Sequence, residues 1–322
     1  MPASVARPRT ILITGASSGL GAALARAFAP SGHRLVLVAR REDRLQAVAR
    51  DVERLGGRAL PIVADLTDTD APRRIVEAAV DGFGGLDVLI NNAGMGLPRY
   101  YSECPPEALR EQAELNFVAP VVLTRHAAPH LIEARGTVVN IGSAIAAVAN
   151  PILGVYGATK AGLTYWNDAL RRELRSHGVS VSLVDLGPVS TEFFDAVRRR
   201  VESDPAEGLR PLGVDPASDS LYNAMRDRPP GILTTSVEEA ARRIVTLIDR
   251  PRRRLRVPRR TVWAFRFLGA LLHAWPAAAD LAVAAMMRRV HREEAVARPV
   301  ASSLGHEEEW GESAGTASGR VQ

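Results

Sequence analysis

The chain has 322 residues, 46% of them apolar and 24% charged, with a formal charge of +5. That balance belongs to a globular protein with a sizeable core and excludes a fibrous or wholly disordered chain. The one cysteine, Cys104, excludes an internal disulfide framework and fits a reducing compartment.

The N-terminal residues reach a strand-like run by Ile11. No secretory leader is expected ahead of it, and a cytoplasmic protein is. From residue 10 onward, apolar runs alternate with amphipathic stretches. The runs TILITG, RLVLVAR, ALPIVADL, LDVLINNAG, GTVVNIGS, VSVSLVDLG and, late, RLRVP are predicted strands. They are rich in Val, Ile and Leu and scarcely alternate, which suits strands covered on both faces. Between the second and third runs, Leu45, Val48, Ala49, Val52 and Leu55 follow helical spacing, and Gly56 and Gly57 end the pattern. Ile75, Val76, Ala79, Val80 and Phe83 repeat it. Strand and helix in alternation predict right-handed βαβ units and an α/β fold, a Rossmann-type doubly wound parallel sheet of about seven strands with helices on both faces.

Residues 195–235 lose this rhythm and read as a long loop or lid rich in Pro, Asp and Gly. Regular structure resumes at Ser236, which has capping-box spacing to Glu239. Three parts are expected: a nucleotide-binding domain over 1–258, an apolar or amphipathic helical extension over 259–300 and a disordered tail over 301–322.

The segment TGASSGLG directly follows the first strand, with Gly15, Gly19 and Gly21 at the strand-to-helix turn. Missing side chains there let backbone amides approach a pyrophosphate at the helix N-terminus. The spacing is G-x-x-x-G-x-G and not the G-x-G-x-x-G of the standard fingerprint. An NAD site usually has an acid near the end of the second strand. Here that strand ends in Ala39 and is followed by Arg40 and Arg41, so two guanidiniums favour the 2′-phosphate of NADP(H) over NAD(H).

Of 41 basic side chains only Lys160 is a lysine. Arginine serves a surface ion pair at least as well, so the exception points to a task that needs a compact ammonium. Tyr156 lies four residues earlier, and helical spacing puts both on one face. An adjacent ammonium favours a phenolate and would lower the tyrosine pKa. Ser143 ends the fifth strand, at the sheet edge where ligands bind in such folds.

TGASSGLG, NNAG at 91–94, Asn116 in LNFVAP, IGS ending at Ser143, and YGATK occur in this order, and over residues 9 to 250 the chain resembles the short-chain dehydrogenase/reductase family. The resemblance implies that Tyr156 is general acid in reduction and general base in oxidation. It implies that Lys160 lowers the tyrosine pKa and binds the nicotinamide ribose, that Ser143 orients the carbonyl and that Asn116 holds a water in a proton relay. Asn92 would stabilise the central strand near the cofactor, with Ala93 and Gly94 beside it. Asp65, followed by Leu66, would approach the adenine. Ser17, Ser18 and Leu20 fall in the glycine turn. Gly187, Val189 and Thr191 would meet the carboxamide end, although Leu186 stands where the family usually has proline.

His126 and His130 have a spacing open to a metal, but Pro129 lies between them and no H-E-x-x-H accompanies them, so no metal is expected. The runs at 198–200 and 307–309 read as solvated charge, and no nucleic-acid partner is expected. The segment TVWAFRFLGALLHAWPAAADLAVAAMMRRV is a poor membrane span, being broken by Arg266, His273, Pro276 and Asp280. Two shorter helices fit better, over 259–290, either lying on the inner face of a membrane as a peripheral contact or packing on protein. The function expected is NADP(H)-dependent interconversion of a small-molecule ketone, lipophilic on the evidence of the extension, and a secondary alcohol. Reduction of a 3-oxoacyl thioester and a catalytically silent cofactor-binding sensor or scaffold are the alternatives. The resemblance also implies a homodimer or homotetramer built on helices near 105–133 and 156–177.

Overall fold

The computed structural model describes residues 7–285 apart from 100, 102–103, 191–233, 279 and 282–283. The expected lid up to residue 233, Thr191, both charge runs, residues 286–300 of the expected extension and the tail over 301–322 lie outside the described residues.

Each of the seven predicted runs coincides with one strand, β3 starting one residue before its run: β1 (Thr10–Thr14), β2 (Arg34–Ala39), β3 (Arg58–Val63), β4 (Val88–Asn91), β5 (Thr137–Ile141), β6 (Ser180–Leu186) and β9 (Arg254–Val257). They form one parallel sheet in the order β3-β2-β1-β4-β5-β6-β9. A short parallel pair, β7 (Val189–Ser190) and β8 (Thr235–Ser236), lies apart from it.

The strands do not alternate because both faces of the sheet are covered. Ile11, Ile13, Leu35 and Leu37 join a core with helices α1 (Gly19–Phe28), α2 (Glu42–Arg54) and α7 (Val237–Asp249). Leu12, Val36 and Val38 point the other way, into a core with α3 (Ala71–Phe83), α5 (Ala119–Ala134) and α6 (Gly154–Leu174). On α2 the expected stripe of Leu45, Val48, Ala49 and Val52 is buried. Leu55 is 45% exposed instead, because it caps the helix where Gly56, at φ +93°, turns the chain away. At the start of α7 the Ser236 hydroxyl accepts the Glu239 amide at 3.2 Å, as the spacing predicts.

The segment near 105–133, expected as helix, divides into α4 (Pro106–Ala113), a π-helical turn at Glu114–Val118 and α5. The wider turn carries Asn116 inward, where it is fully buried.

Past β9, helix α8 (Arg259–Ala274) packs its buried Thr261, Val262 and Gly269 against the body of the protein. Gly269 sits on the short segment that follows Ser143: a Cβ there would run into the carbonyl oxygen of Ala147. Trp275 breaks the helix, and helical residues resume at Pro276, so the apolar stretch is two segments and not one. Among the described residues no helix is long and apolar enough to cross a membrane. Overpacking such a contact typically costs about 1–3 kcal/mol. Gly269→Val is therefore expected to lower the thermal midpoint by several degrees in a melting scan, whereas Ala270→Val on the exposed side leaves it within a degree or so.

Candidate active site

β1 is flanked by β2 on one side and β4 on the other, so the chain order reverses at the carboxyl end of β1. In such sheets this switch point opens the crevice that takes a ligand. Gly15 turns out of β1 at φ +66°, and a Cβ on it would lie 2.9 Å from the Cα of Ala93. A Cβ on Gly21 would strike the carbonyl of Gly15. The two glycines thus let the turn, α1 and the NNAG segment close on one another. Asn92 locks this contact: its Nδ2 donates to the Thr14 carbonyl at 2.8 Å, and the amides of Asn92 and Ala93 both donate to the Thr14 hydroxyl at 3.0 Å. Gly19 and the buried Leu20 open α1, whose N-cap, Ser18, makes no side-chain capping bond and whose first turn holds no acid. The amides at this helix start therefore face the crevice uncompensated, a polarity that suits a pyrophosphate. The residues present fit a dinucleotide.

Arg40 and Arg41 divide their work. Arg40 pairs with Asp65 at 3.2 Å and with Glu111 at 3.8 Å. Arg41 instead donates to the hydroxyls of Ser17 and Ser18, at 3.1 and 2.5 Å, and so lies on the glycine turn. Asp65, just beyond β3, has its carboxyl raised by burial, but hydrogen bonds from the Thr67 amide and hydroxyl and from Arg40 hold it below the ordinary value. Leu66 is buried behind it.

Ser143, Tyr156 and Lys160 come together across β5 and the first turns of α6. The Ser143 hydroxyl hydrogen-bonds the Tyr156 phenol. Lys160 is 5% exposed, and its Nζ donates to the Ile141 carbonyl at 3.0 Å. The same Nζ stands 5.9 Å from the centre of the Tyr156 ring. Burial lowers the ammonium pKa to about 8. Burial also pushes the Tyr156 phenol above its ordinary value, and the Ser143 bond offsets this only in part. The phenol is thus high because burial outweighs the Ser143 bond, while the Lys160 ammonium is held by the Ile141 carbonyl. Gly94 leaves room beside this group: a Cβ there would be 3.1 Å from Asn116 Oδ1 and 3.5 Å from Lys160 Nζ.

Asn116 accepts the Met95 amide at 2.8 Å and donates to the Met95 carbonyl at 2.8 Å and to the Thr159 hydroxyl at 3.3 Å. Its side chain is thereby occupied in tying the segment after β4 to α6. Gly187 follows β6 and donates its amide to the Val257 carbonyl at 2.8 Å, so Leu186 is accommodated as a strand residue paired with Val257. Val189 is buried in β7.

Sequence reasoning missed a buried amide chain beneath the site. Asn91 Nδ2 donates to the Thr124 hydroxyl at 3.0 Å and to Asn140 Oδ1 at 2.8 Å, and Asn140 Nδ2 donates to Asn167 Oδ1 at 2.9 Å. Asn91 thus bridges β4 and β5, beside Asn92, which ties the end of β4 to β1. The signal was available: three asparagines inside or facing apolar strands need partners when buried. Among the described residues no group of three or more His, Cys, Asp or Glu is placed to hold a metal ion.

A lysine whose pKa is lowered on folding binds fewer protons than the unfolded chain between about pH 8 and its ordinary value of 10.5. The penalty of its buried charge is full below that window and vanishes above it. Lys160→Met is expected to melt higher than the parent at pH 7, with the difference shrinking as pH rises from 8 towards 10.5; thermal melts across this range check it.

A family model described as short chain dehydrogenase matches residues 9–202. A serine 3-dehydrogenase of Agrobacterium fabrum is 36% identical over 222 residues, 66% of this chain and 86% of that protein. A fatty acyl-CoA reductase of Mycobacterium tuberculosis is 33% identical over 225 residues, 69% of this chain and 74% of that protein. Among solved structures, a short-chain dehydrogenase from Sphingobium yanoikuyae in complex with NADPH superposes with a TM-score of 0.65 at 28% identity, covering 84% of this chain and 95% of that one. L-sorbose reductase from Gluconobacter frateurii, complexed with NADPH and L-sorbose, gives 0.63 at 30% identity over 75% and 89%. With the family model spanning more than half of its length, and a sheet whose switch point carries the glycine turn, this chain belongs to the short-chain dehydrogenase/reductase family and is an oxidoreductase of that family.

Proposed function

We propose that the protein interconverts a lipophilic ketone and a secondary alcohol with NADP(H), Tyr156 donating the proton in reduction and accepting it in oxidation. The observation that carries this reading is the meeting of Ser143, Tyr156 and Lys160 beside a backbone cradle that any Cβ would fill. The nicotinamide, when bound, supplies or accepts the hydride. The chain supplies the rest. Ser143 lies where it would hold the substrate oxygen against the phenol. A phenol raised by burial keeps its proton at neutral pH, which is the state a general acid requires. Formation of the phenolate for oxidation falls to Lys160, once its ammonium turns from Ile141 towards the ribose and the ring. Because the Asn116 side chain is occupied, a water in the relay would be held by another atom of that residue.

The choice of NADP(H) rests on Arg41. Its contacts with Ser17 and Ser18 set a guanidinium and two hydroxyls together on the glycine turn, a combination that suits a 2′-phosphate. NADPH in the Sphingobium and Gluconobacter structures supports the same choice. A 3-oxoacyl thioester is the second substrate class, supported by the fatty acyl-CoA reductase already described and by a ketoacyl reductase of Nostoc, 37% identical over 183 residues. Retention of Ser143, Tyr156, Lys160 and Asn116 opposes the silent sensor. A cytoplasmic homodimer or homotetramer completes the proposal; Tyr165, 82% exposed on α6, is a fitting contact for it.

Tyr156→Phe is expected to reduce turnover by at least about 10²-fold while NADPH binding, followed by its fluorescence, survives; retained turnover overturns the assignment. Loss of a charged hydrogen-bonding partner typically costs about 1.5–3 kcal/mol. Arg41→Ala should therefore weaken NADPH binding roughly tenfold to a hundredfold and leave NADH unchanged, as titrations with both cofactors will reveal.

A further inference from the structure

α8 is amphipathic in the reverse sense of an ordinary surface helix. Its buried positions are Thr261, Val262 and Gly269, whereas Trp263, Phe267 and Leu268 are 51%, 66% and 46% exposed. Trp263 and Phe267, like Ala264 and Leu268, are one turn apart, so they form a continuous outward stripe, and the exposed Trp275 extends it. Single exposed apolar residues are common, but an aromatic stripe of this kind marks an interaction surface.

Among the described residues the charge beside the N-terminal part of the stripe is basic. Arg259 and Arg260 are exposed in its first turn, and no described carboxylate pairs with them. The guanidinium of Arg256 lies 4.6 Å from the centre of the Trp263 ring. Burial, together with neighbouring Arg266, Arg254 and Arg259, disfavours its charge. Asp185 is the facing acid that acts on it, 3.7 Å away and itself buried. Among the described residues the cluster thus lacks an exposed counter-charge of its own. A second copy of this face would meet its arginines with more arginine. An anionic headgroup layer over acyl chains offers both complements at once, and Trp and Phe favour that boundary.

We propose that the outward face of α8 docks on the surface of an anionic lipid bilayer. A helix of 16 residues is about 24 Å long, so lying in the headgroup region is its available mode. The inner side of the same helix rests, through Gly269, on Ala147 in the segment that begins at Ser143. Docking therefore brings the catalytic loop to within about one helix diameter, 10 Å, of the bilayer, where a lipophilic ketone would partition. That last step rests on the proposed function, while lipid binding does not.

The test is flotation of the full chain with vesicles of phosphatidylcholine alone or mixed with phosphatidylglycerol. The parent should float with the mixed vesicles and not with neutral ones, and 0.5 M salt should lower the bound fraction severalfold. Phe267→Glu combined with Leu268→Glu should lower binding at least tenfold, with circular dichroism, NADPH affinity and reduction of a water-soluble ketone unchanged. Arg259→Ser with Arg260→Ser should lower binding to anionic vesicles and preserve the fold. A parent that stays in the pellet fraction overturns the proposal, as does flotation indifferent to the double glutamate variant. So does conversion of an oligomer to a monomer by that variant without any vesicle binding, which would assign the face to a second copy. Vesicle binding without turnover of any ketone upholds this surface and removes the reductase reading; turnover without vesicle binding does the reverse.

Discussion

The arrangement at the heart of this protein depends on one buried ammonium. Lys160 reaches from α6 to the carbonyl of Ile141, the last residue of β5, and so joins the helix that carries Tyr156 to the strand that leads to Ser143. An unpaired charge in that position is unfavourable, and its pKa falls to about 8 by burial alone. The fold tolerates the strain because the surrounding contacts over-determine the position of α6. Two turns further along the same face Asn167 meets Asn140, which meets Asn91, and the helix is pinned to two central strands through amides. Polar contacts inside a core specify a register more sharply than apolar ones, since a slipped amide is left unpaired.

A second constraint is proximity at the carboxyl end of β1. The turn at Gly15, the start of α1 and the NNAG segment occupy a space that admits no side chain at Gly15 or Gly21. Asn92 and Thr14 fill the remaining hydrogen-bonding capacity, so the crevice floor is backbone held by two side chains. A rigid floor of this kind presents amides to an anion without reorganisation, which is the physical content of preorganisation. Arg41 is drawn onto the same floor by Ser17 and Ser18, while Arg40 is held off it by Asp65. Adjacent arginines of one sequence motif thereby acquire different neighbours.

The extension after β9 is tied into this architecture. α8 bears on the loop that follows Ser143 through a glycine contact, and its other side carries an apolar stripe beside arginines, Arg259 and Arg260, that no described carboxylate pairs. The two readings of residues 259–290, packing on protein and facing a lipid surface, thus concern opposite faces of one helix. A helix 16 residues long has room for both.

Much of this was legible in the chain. Unalternating Val, Ile and Leu runs, separated by stripes such as Ile75, Val76 and Ala79, determine a parallel sheet covered on both sides, because no other arrangement buries those residues together. The glycines after β1 and the four-residue step from Tyr156 to Lys160 determine a cradle and a shared helix face for local reasons, and local geometry survives folding. Tertiary structure decided what depends on residues distant in sequence. It separated Arg40 from Arg41, because Asp65 and Glu111 approach only after folding. It set the phenol high and sent the ammonium to Ile141, because burial depends on what packs above a group and not on what precedes it. It turned the aromatic side of α8 outward, because the space beneath, against Ala147, accepts only glycine.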